Sequence, residues 1–263
     1  MKSKSFKLVK KYFNSPISCL TAYSPSVAEI LDGVVDIILI GDSLGSTLYG
    51  MRNTRGVTLD MMKTHGRAVK KKISKSVTII DMPYNTYETK EEALKNARDL
   101  LKHTKADMIK LEINRKKIEI VEYLNKNKVN VVSHIGVTPQ SYSNFNKIKV
   151  LGKSDIDKKK LLSLAKQLES SGSAALLLEC ISLQSAKEIT SNVKIPTIGI
   201  GASQFCDGQV LVFDDIINLS NNEKKPKFVK KYIDLKKLLK KAARDFKKDV
   251  KLKKFPSKRY SYL

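Results

Sequence analysis

The sequence predicts an α/β protein built as a closed (β/α)8, or TIM, barrel, and three observations carry that prediction. Eight short apolar runs rich in β-branched residues recur along the chain, mostly helical patterns lie between them, and polar residues stand at the C-terminal ends of run after run. Parallel strands covered on both faces read as such continuous apolar runs. The length of 263 residues matches the roughly 250 that eight strand–helix units require. An open doubly wound sheet is the second choice for the same alternation.

In order, the expected strands are Ile17–Thr21, Asp36–Gly41, Val77–Asp81, Met108–Glu112, Val129–His134, Ala174–Glu179, Ile195–Gly199 and Gln209–Phe213. The helices between them are marked by caps and spacing. Thr89-Lys90-Glu91-Glu92 reads as a capping box ahead of a stripe of Ala93, Leu94, Ala97, Leu100 and Leu101. Leu161, Leu162, Ala165 and Leu168 form a second stripe. Near the end, Leu235, Leu238, Leu239, Ala242, Phe246 and Val250 recur at helical spacing between lysine pairs, a pattern that suits packing on the barrel better than lying on a membrane. No linker, repeat or low-complexity segment interrupts the chain. One domain is expected over 1–263, with an N-terminal extension at 1–14 and an amphipathic helix and tail at 229–263.

Composition narrows the class. With 41% hydrophobic residues the chain can bury a substantial core, and no stretch reaches the roughly 18 apolar residues of a membrane span. Met1–Asn14 lacks the apolar segment and small-residue cleavage site of a secretory signal, so a cytoplasmic protein beginning near Met1 is expected. Cys19, Cys180 and Cys206 lack CxxC spacing, which argues against a disulfide framework or a zinc knuckle. The net charge of +24 invites a nucleic-acid reading, but of 50 basic residues 43 are Lys and only seven Arg, spread over almost every expected helix. Readers of phosphates and bases favour the planar Arg fork. The charge therefore reads as a solvated lysine-rich surface that draws in anionic small molecules, with neither nucleic acid nor membrane as partner.

The polar residues at the strand ends carry the chemistry. Strand two is followed at once by Gly41-Asp42-Ser43; strand three ends at Asp81, strand four at Lys110-Leu111-Glu112, strand five at Ser133-His134 and strand six at Glu179. In this fold those ends converge on the face where active sites are built. Singly, each has a plain structural reading: an Asp after a strand caps a turn, Lys110 and Glu112 form an ion pair, His134 is a satisfied core histidine. As a set they are harder to dismiss, because Lys110 and Glu112 share a strand face and burying that face unpaired is costly. Carboxylates at Asp42, Asp81 and Glu112 suit a hard cation such as Mg2+, whereas the His/Cys spacing of zinc is absent. The stretches Gly41–Gly45 and Gly199–Ala202 suit backbone approach to an anion or simply tight turns. His65 and His103 fall within helical segments and carry no expected role.

Ten motifs in order, from about Ser18 to Tyr232, carry a resemblance to a known family. They are Thr21-Ala22-Tyr23, Gly41-Asp42-Ser43-Leu44-Gly45, Arg55-Gly56-Val57-Thr58, Asp81-Met82-Pro83, Lys110-Leu111-Glu112, His134-Ile135-Gly136-Val137-Thr138-Pro139-Gln140-Ser141, Leu178-Glu179-Cys180, Ile198-Gly199-Ile200-Gly201-Ala202, Asp207-Gly208-Gln209 and Pro226-Lys227-Phe228. Together they resemble the ketopantoate (3-methyl-2-oxobutanoate) hydroxymethyltransferases. The resemblance implies a (β/α)8 barrel that condenses 3-methyl-2-oxobutanoate with the methylene group of 5,10-methylenetetrahydrofolate, giving 2-dehydropantoate on the route to pantothenate and coenzyme A. It implies Mg2+ held by Asp42, Asp81 and Glu112, the oxo acid bound by Asp42, Ser43, Asp81 and Lys110, and Glu179 as the base. His134 would orient a group or assist proton transfer. A C–H beside a ketone is too weak an acid for a carboxylate alone, so a Lewis acid that takes up enolate charge fits these assignments. A homo-oligomer, often a decamer, is likewise implied.

Ser24 stands where the family usually has Asp, Ile113-Asn114 replaces Gly-Gly, and 144–153 lacks the usual Gly-Gly and Gln-Gly-Arg pattern. None of these removes a proposed ligand or the base. Two rivals make different demands. A barrel of the phosphoenolpyruvate mutase and isocitrate lyase type expects a catalytic-loop cysteine that is not found, and a basic nucleic-acid binder on an inactive barrel expects salt-dependent binding without turnover.

Overall fold

The computed structural model of the chain describes residues 15–143, 149–220 and 226–262. Eight parallel strands close into a barrel in sequence order: β1 (Ile17–Thr21), β2 (Ile37–Ile40), β3 (Val77–Asp81), β4 (Met108–Glu112), β5 (Val131–Gly136), β6 (Ala175–Glu179), β7 (Thr197–Ile200) and β8 (Gly208–Leu211). Closure is made at Cys19, which lies opposite Ile37 of β2 on one side and Val210 of β8 on the other. The expected segments all appear, with shifts at their ends. β5 runs on past His134 to Gly136, and β8 stops at Leu211 because Phe213 opens a short helix.

Strand alternation divides the side chains into two sets. Ile17, Cys19, Ile37, Leu39, Val77, Ile79, Met108, Val132, Ala175, Leu177, Ile198 and Val210 come from all eight strands and form one buried cluster inside the barrel. The other parity, including Ile38, Ile40, Ile80, Ile109, Leu111 and Leu178, is fully buried as well, beneath the surrounding helices. Each such Ile or Leu contributes about 1.5–3 kcal/mol by leaving water. Asp81, Lys110, Glu112, His134 and Glu179 belong to the inward parity, one step above the apolar cluster. The alternation that fills the barrel thus also collects its polar groups at one mouth.

Capping side chains start most of the outer helices. Ser24 accepts from Val27 N at α1 (Pro25–Leu31); α2 (Leu44–Leu48) follows β2; Thr58 accepts from Met61 N at α3 (Leu59–Lys70). Thr89 accepts from Glu92 N at α4 (Lys90–Thr104), as the capping box predicts, while Glu92 reaches Glu88 N rather than Thr89 N. After α5 (Ile118–Lys126), Ser154 and Ser182 cap α6 (Asp155–Ser170) and α7 (Leu183–Asn192). At the opposite end of the barrel Asp32 accepts four hydrogen bonds from Ser74, Lys75 and Ser76, which fixes the entry to β3.

Residues from Phe213 onward form a second compact unit, with α8 (Phe213–Ile216) and α9 (Leu235–Lys251). The apolar stripe expected near the C-terminus lies on α9, and it is exposed: Phe246, for example, is 57% accessible. No helix among the described residues is long and apolar enough to cross a membrane. The expected extension at 1–14 lies outside the described residues, as do 144–148 of the divergent loop.

Candidate active site

The β2–α2 turn positions Asp42 and Ser43. A Cβ at Gly41 would stand 2.8 Å from Ser43 Oγ and 3.6 Å from Asp81 Oδ2, so the bare glycine leaves room where β2 meets β3. Asp42 N donates to Asp81 Oδ2 at 3.0 Å, and Tyr23 OH lies 2.8 Å from Ser43 Oγ. Lys110, one strand along, puts its Nζ 2.8 Å from Asp81 Oδ1 with both side chains almost wholly buried. The approach is not angled as a hydrogen bond, and Asp81 Oδ1 has no hydrogen-bond partner. An ion pair this deep is weak evidence for stability and needs another reason to be there.

The electrostatics follow from burial. Desolvation first, and the Asp81 charge second, push the Asp42 carboxyl up to about 7, against the pull of Lys110 and the Gln140 amide. Glu112 is likewise pushed well above its usual range, mainly by burial. Burial works against the Lys110 ammonium, but Asp81, Asp42 and Glu112 together outweigh it and keep the group firmly protonated. Lys110 is thus the fixed positive charge of the pocket.

His134 and Glu179 complete the mouth. His134 Nε2 lies 3.4 Å from Glu179 Oε2 and Nδ1 lies 3.8 Å from Glu112 Oε1, and neither contact has hydrogen-bond geometry. Burial lowers the imidazole pKa, only partly offset by Glu179, so the ring is held neutral. Glu179 is the most open of these ionic groups, its side chain 17% accessible against 2% for His134. Two backbone features set its position. Gly136 takes φ +99°, and a Cβ there would fall 2.3 Å from the Glu179 carbonyl oxygen; Cys180, next in sequence, takes φ +48°. The strand end is turned sharply where the carboxylate must face inward.

Two neutral residues that sequence reasoning left without a role tie the site together. Gln140, in the turn after β5, donates from Nε2 to Asp42 Oδ2 at 2.8 Å and to Met82 O at 3.0 Å, and its backbone N donates to Glu112 Oε2 at 2.9 Å. Tyr87 OH donates to Gln140 Oε1. The only available signal was the place of Gln140 in the stretch His134–Ser141. Asp42 and Asp81 are therefore in contact, and Glu112 joins them through Gln140. Among the described residues no three His, Cys, Asp or Glu side chains gather into a cage for a metal ion. The paired carboxylates, an Asp81 Oδ1 that accepts no hydrogen bond and is balanced only by the Lys110 charge, and the bare Gly41 fit a small hard cation that takes one or two carboxylates and completes its shell with water and substrate.

A sequence model of the family described as ketopantoate hydroxymethyltransferase matches residues 2–258. The chain belongs to this family. Curated relatives of the family named 3-methyl-2-oxobutanoate hydroxymethyltransferase include one from Pelagibacter ubique (strain HTCC1062), 48% identical over 262 residues and covering 100% of both chains. Another, from Rhizobium etli, is 43% identical over 94% of this chain and 90% of its own. This member of the ketopantoate hydroxymethyltransferase family is accordingly an enzyme, a transferase. Among solved structures, a phosphonopyruvate hydrolase complexed with oxalate and Mg++ aligns at TM-score 0.62 with 9% identity, over 79% of this chain and 80% of that one. A 2,3-dimethylmalate lyase of the PEP mutase/isocitrate lyase superfamily aligns at 0.60 with 10% identity, over 81% of each. At that identity the likeness is one of fold, and the rival lyase reading gains nothing beyond the shared barrel.

Proposed function

We propose that the chain transfers the one-carbon unit of 5,10-methylenetetrahydrofolate to 3-methyl-2-oxobutanoate, giving 2-dehydropantoate for pantothenate and coenzyme A biosynthesis. The observation that carries the reading is the placement of Glu179: an accessible carboxylate at the pocket mouth, facing a neutral His134, with the buried Lys110 ammonium deeper in.

Asp42 and Asp81 would hold Mg2+, with Glu112 acting from behind Gln140. Bound there, the ion supplies a Lewis acid for charge that develops on the keto oxygen. Lys110 pairs with the substrate carboxylate, and the Ser43 hydroxyl, held by Tyr23, donates to the oxo acid. Glu179 takes the proton from C3, the carbon next to the ketone. His134, neutral and 3.4 Å from Glu179 Oε2, would steady that carboxylate by turning Nε2–H to donate to it. C3 then bonds to the methylene carbon, both bonds from that carbon to the two folate nitrogens break, water supplies the new hydroxyl, and tetrahydrofolate leaves with two protons, one from C3 and one from the water. The enzyme is read as a cytoplasmic homo-oligomer; free, buried Cys19, Cys180 and Cys206 suit a reducing compartment.

The test is an assay of the purified chain with 3-methyl-2-oxobutanoate, methylenetetrahydrofolate and Mg2+, following 2-dehydropantoate. In parallel, NMR follows solvent deuterium into C3. Glu179→Gln is expected to abolish the exchange while leaving oxo-acid binding intact; exchange at the wild-type rate removes Glu179 as the base.

A further inference from the structure

We propose that Gln140 and Tyr87 form a positioning clamp that aims the Asp42 and Glu112 carboxylates, and that cation affinity at the Asp42–Asp81 pair depends on it. The proposal rests on the metal reading above and deepens it.

Gln140 is 3% accessible and touches both carboxylates with different parts of itself: the side-chain amide holds Asp42, 98 positions away in sequence, and the backbone N–H holds Glu112, 28 away. Both N–H groups of the amide are used, one on Asp42 Oδ2 and one on Met82 O. Turning the amide over would set its oxygen against a carboxylate and a carbonyl, which are acceptors only. Tyr87 fixes the same choice from the other end, because its hydroxyl donates to Gln140 Oε1. Burial, with the Glu112 and Asp42 charges behind it, pushes the Tyr87 phenol far above its usual range, so the donor stays protonated. Lys117 Nζ closes the arrangement from outside, 4.4 Å above the Tyr87 ring.

The consequence is geometric. One oxygen of each acid is held by an N–H: Asp81 Oδ2 by Asp42 N, Asp42 Oδ2 by Gln140 Nε2, and Glu112 Oε2 by Gln140 N. Holding one oxygen stops the carboxylate from spinning and sets the direction of the other, which in Asp81 already faces Lys110 Nζ at 2.8 Å. Hydrogen bonds behind metal-binding carboxylates act in this way, and losing one costs roughly ten- to a hundredfold in affinity. Gln140 and Tyr87 touch no reacting atom; they act through Asp42 and Glu112.

The test is titration of the full chain with Mn2+, a probe that takes the same hard oxygen ligands as Mg2+. Free ion is counted by electron paramagnetic resonance, and thermal midpoints are recorded alongside. Gln140→Met keeps the length of the side chain without its amide and is expected to weaken Mn2+ binding roughly ten- to a hundredfold. Tyr87→Phe removes one hydroxyl and is expected to weaken it severalfold, carrying the test if the Gln140 variant does not fold. Lowered midpoints with wild-type Mn2+ affinity in both variants would overturn the clamp alone and leave a packing role. Failure of the wild-type chain to bind Mn2+ would overturn the metal reading, and the clamp with it.

Discussion

Lys110→Met tests the electrostatic design of the pocket most directly. The ammonium sits 2.8 Å from Asp81 Oδ1, and both side chains are shut away from water. At an effective dielectric constant of about 20 their Coulomb attraction is about 6 kcal/mol, most of it offset by desolvation. Removing the cation does not refund that desolvation: it leaves the buried Asp81 charge without its partner and drives Asp42 and Glu112, already raised, further toward protonation. Breaking a buried pair on one side typically costs about 3–5 kcal/mol. For a chain of this length, at about 2 °C per kcal/mol, the thermal midpoint should fall by about 6–10 °C without divalent ions. Added Mg2+ should recover part of the loss by supplying the missing positive charge, while turnover stays low because the substrate carboxylate has lost its partner. Differential scanning calorimetry with and without Mg2+ reads the stability, and product formation reads the chemistry. A midpoint within 2 °C of wild type without metal would refute the reasoning, since it would mean that the carboxylates do not depend on Lys110 for compensation.

Three further predictions follow from separate features. Asp81→Ala should weaken Mg2+ binding beyond detection by titration calorimetry, and wild-type affinity would take Asp81 out of the metal site. Gly136→Ala forces a side chain into a left-handed backbone and against the Glu179 carbonyl; it should cost at least about 2 kcal/mol and depress deuterium exchange, measured by urea unfolding and NMR. Asp32→Ala removes an acceptor of four hydrogen bonds and should cost roughly 1–2 kcal/mol at neutral pH, a partly exposed carboxylate being worth less than a buried one. The Asp32 pKa is lowered to about 2: burial raises it, but the backbone N–H groups of Ser76, Ser74 and Lys75 outweigh that. The group therefore stabilises the fold fully above its unfolded value near 4 and progressively less as pH falls through about 2. The gap between wild type and variant should close over that window, and urea titrations at stepped pH show whether it does.

The barrel was readable because its strands are apolar on both faces. Val77–Asp81 and Met108–Glu112 agree residue for residue, each an unbroken buried run that ends on its acidic residue. β5 was cut short at His134 because the polar residue there reads as a strand end, although Ile135 carries the buried run on to Gly136. β8 was drawn too long because Val212-Phe213 looks like more strand, although Asp214 and Asp215 in the next turn belong to a helix start. The charged site residues stood out because a buried charge is expensive and so conspicuous at a strand end. Gln140 and Tyr87 did not, being neutral residues whose partners lie far away in sequence. Two of the family departures have local explanations. Ser24 caps α1 with the kind of side-chain oxygen that Asp would offer, and Asn114 accepts from Lys116 N in the turn that follows β4.

The two-step alternation of the strands makes this barrel forgiving of substitution and intolerant of changes in length. Deleting one residue within β4 would send Lys110 and Glu112 toward the helix shell and swing Ile109 and Leu111 into the pocket, trading a charged crown for an oily one. Diversity in such an enzyme must therefore accumulate as residue swaps within strands, with insertions and deletions confined to the connecting segments.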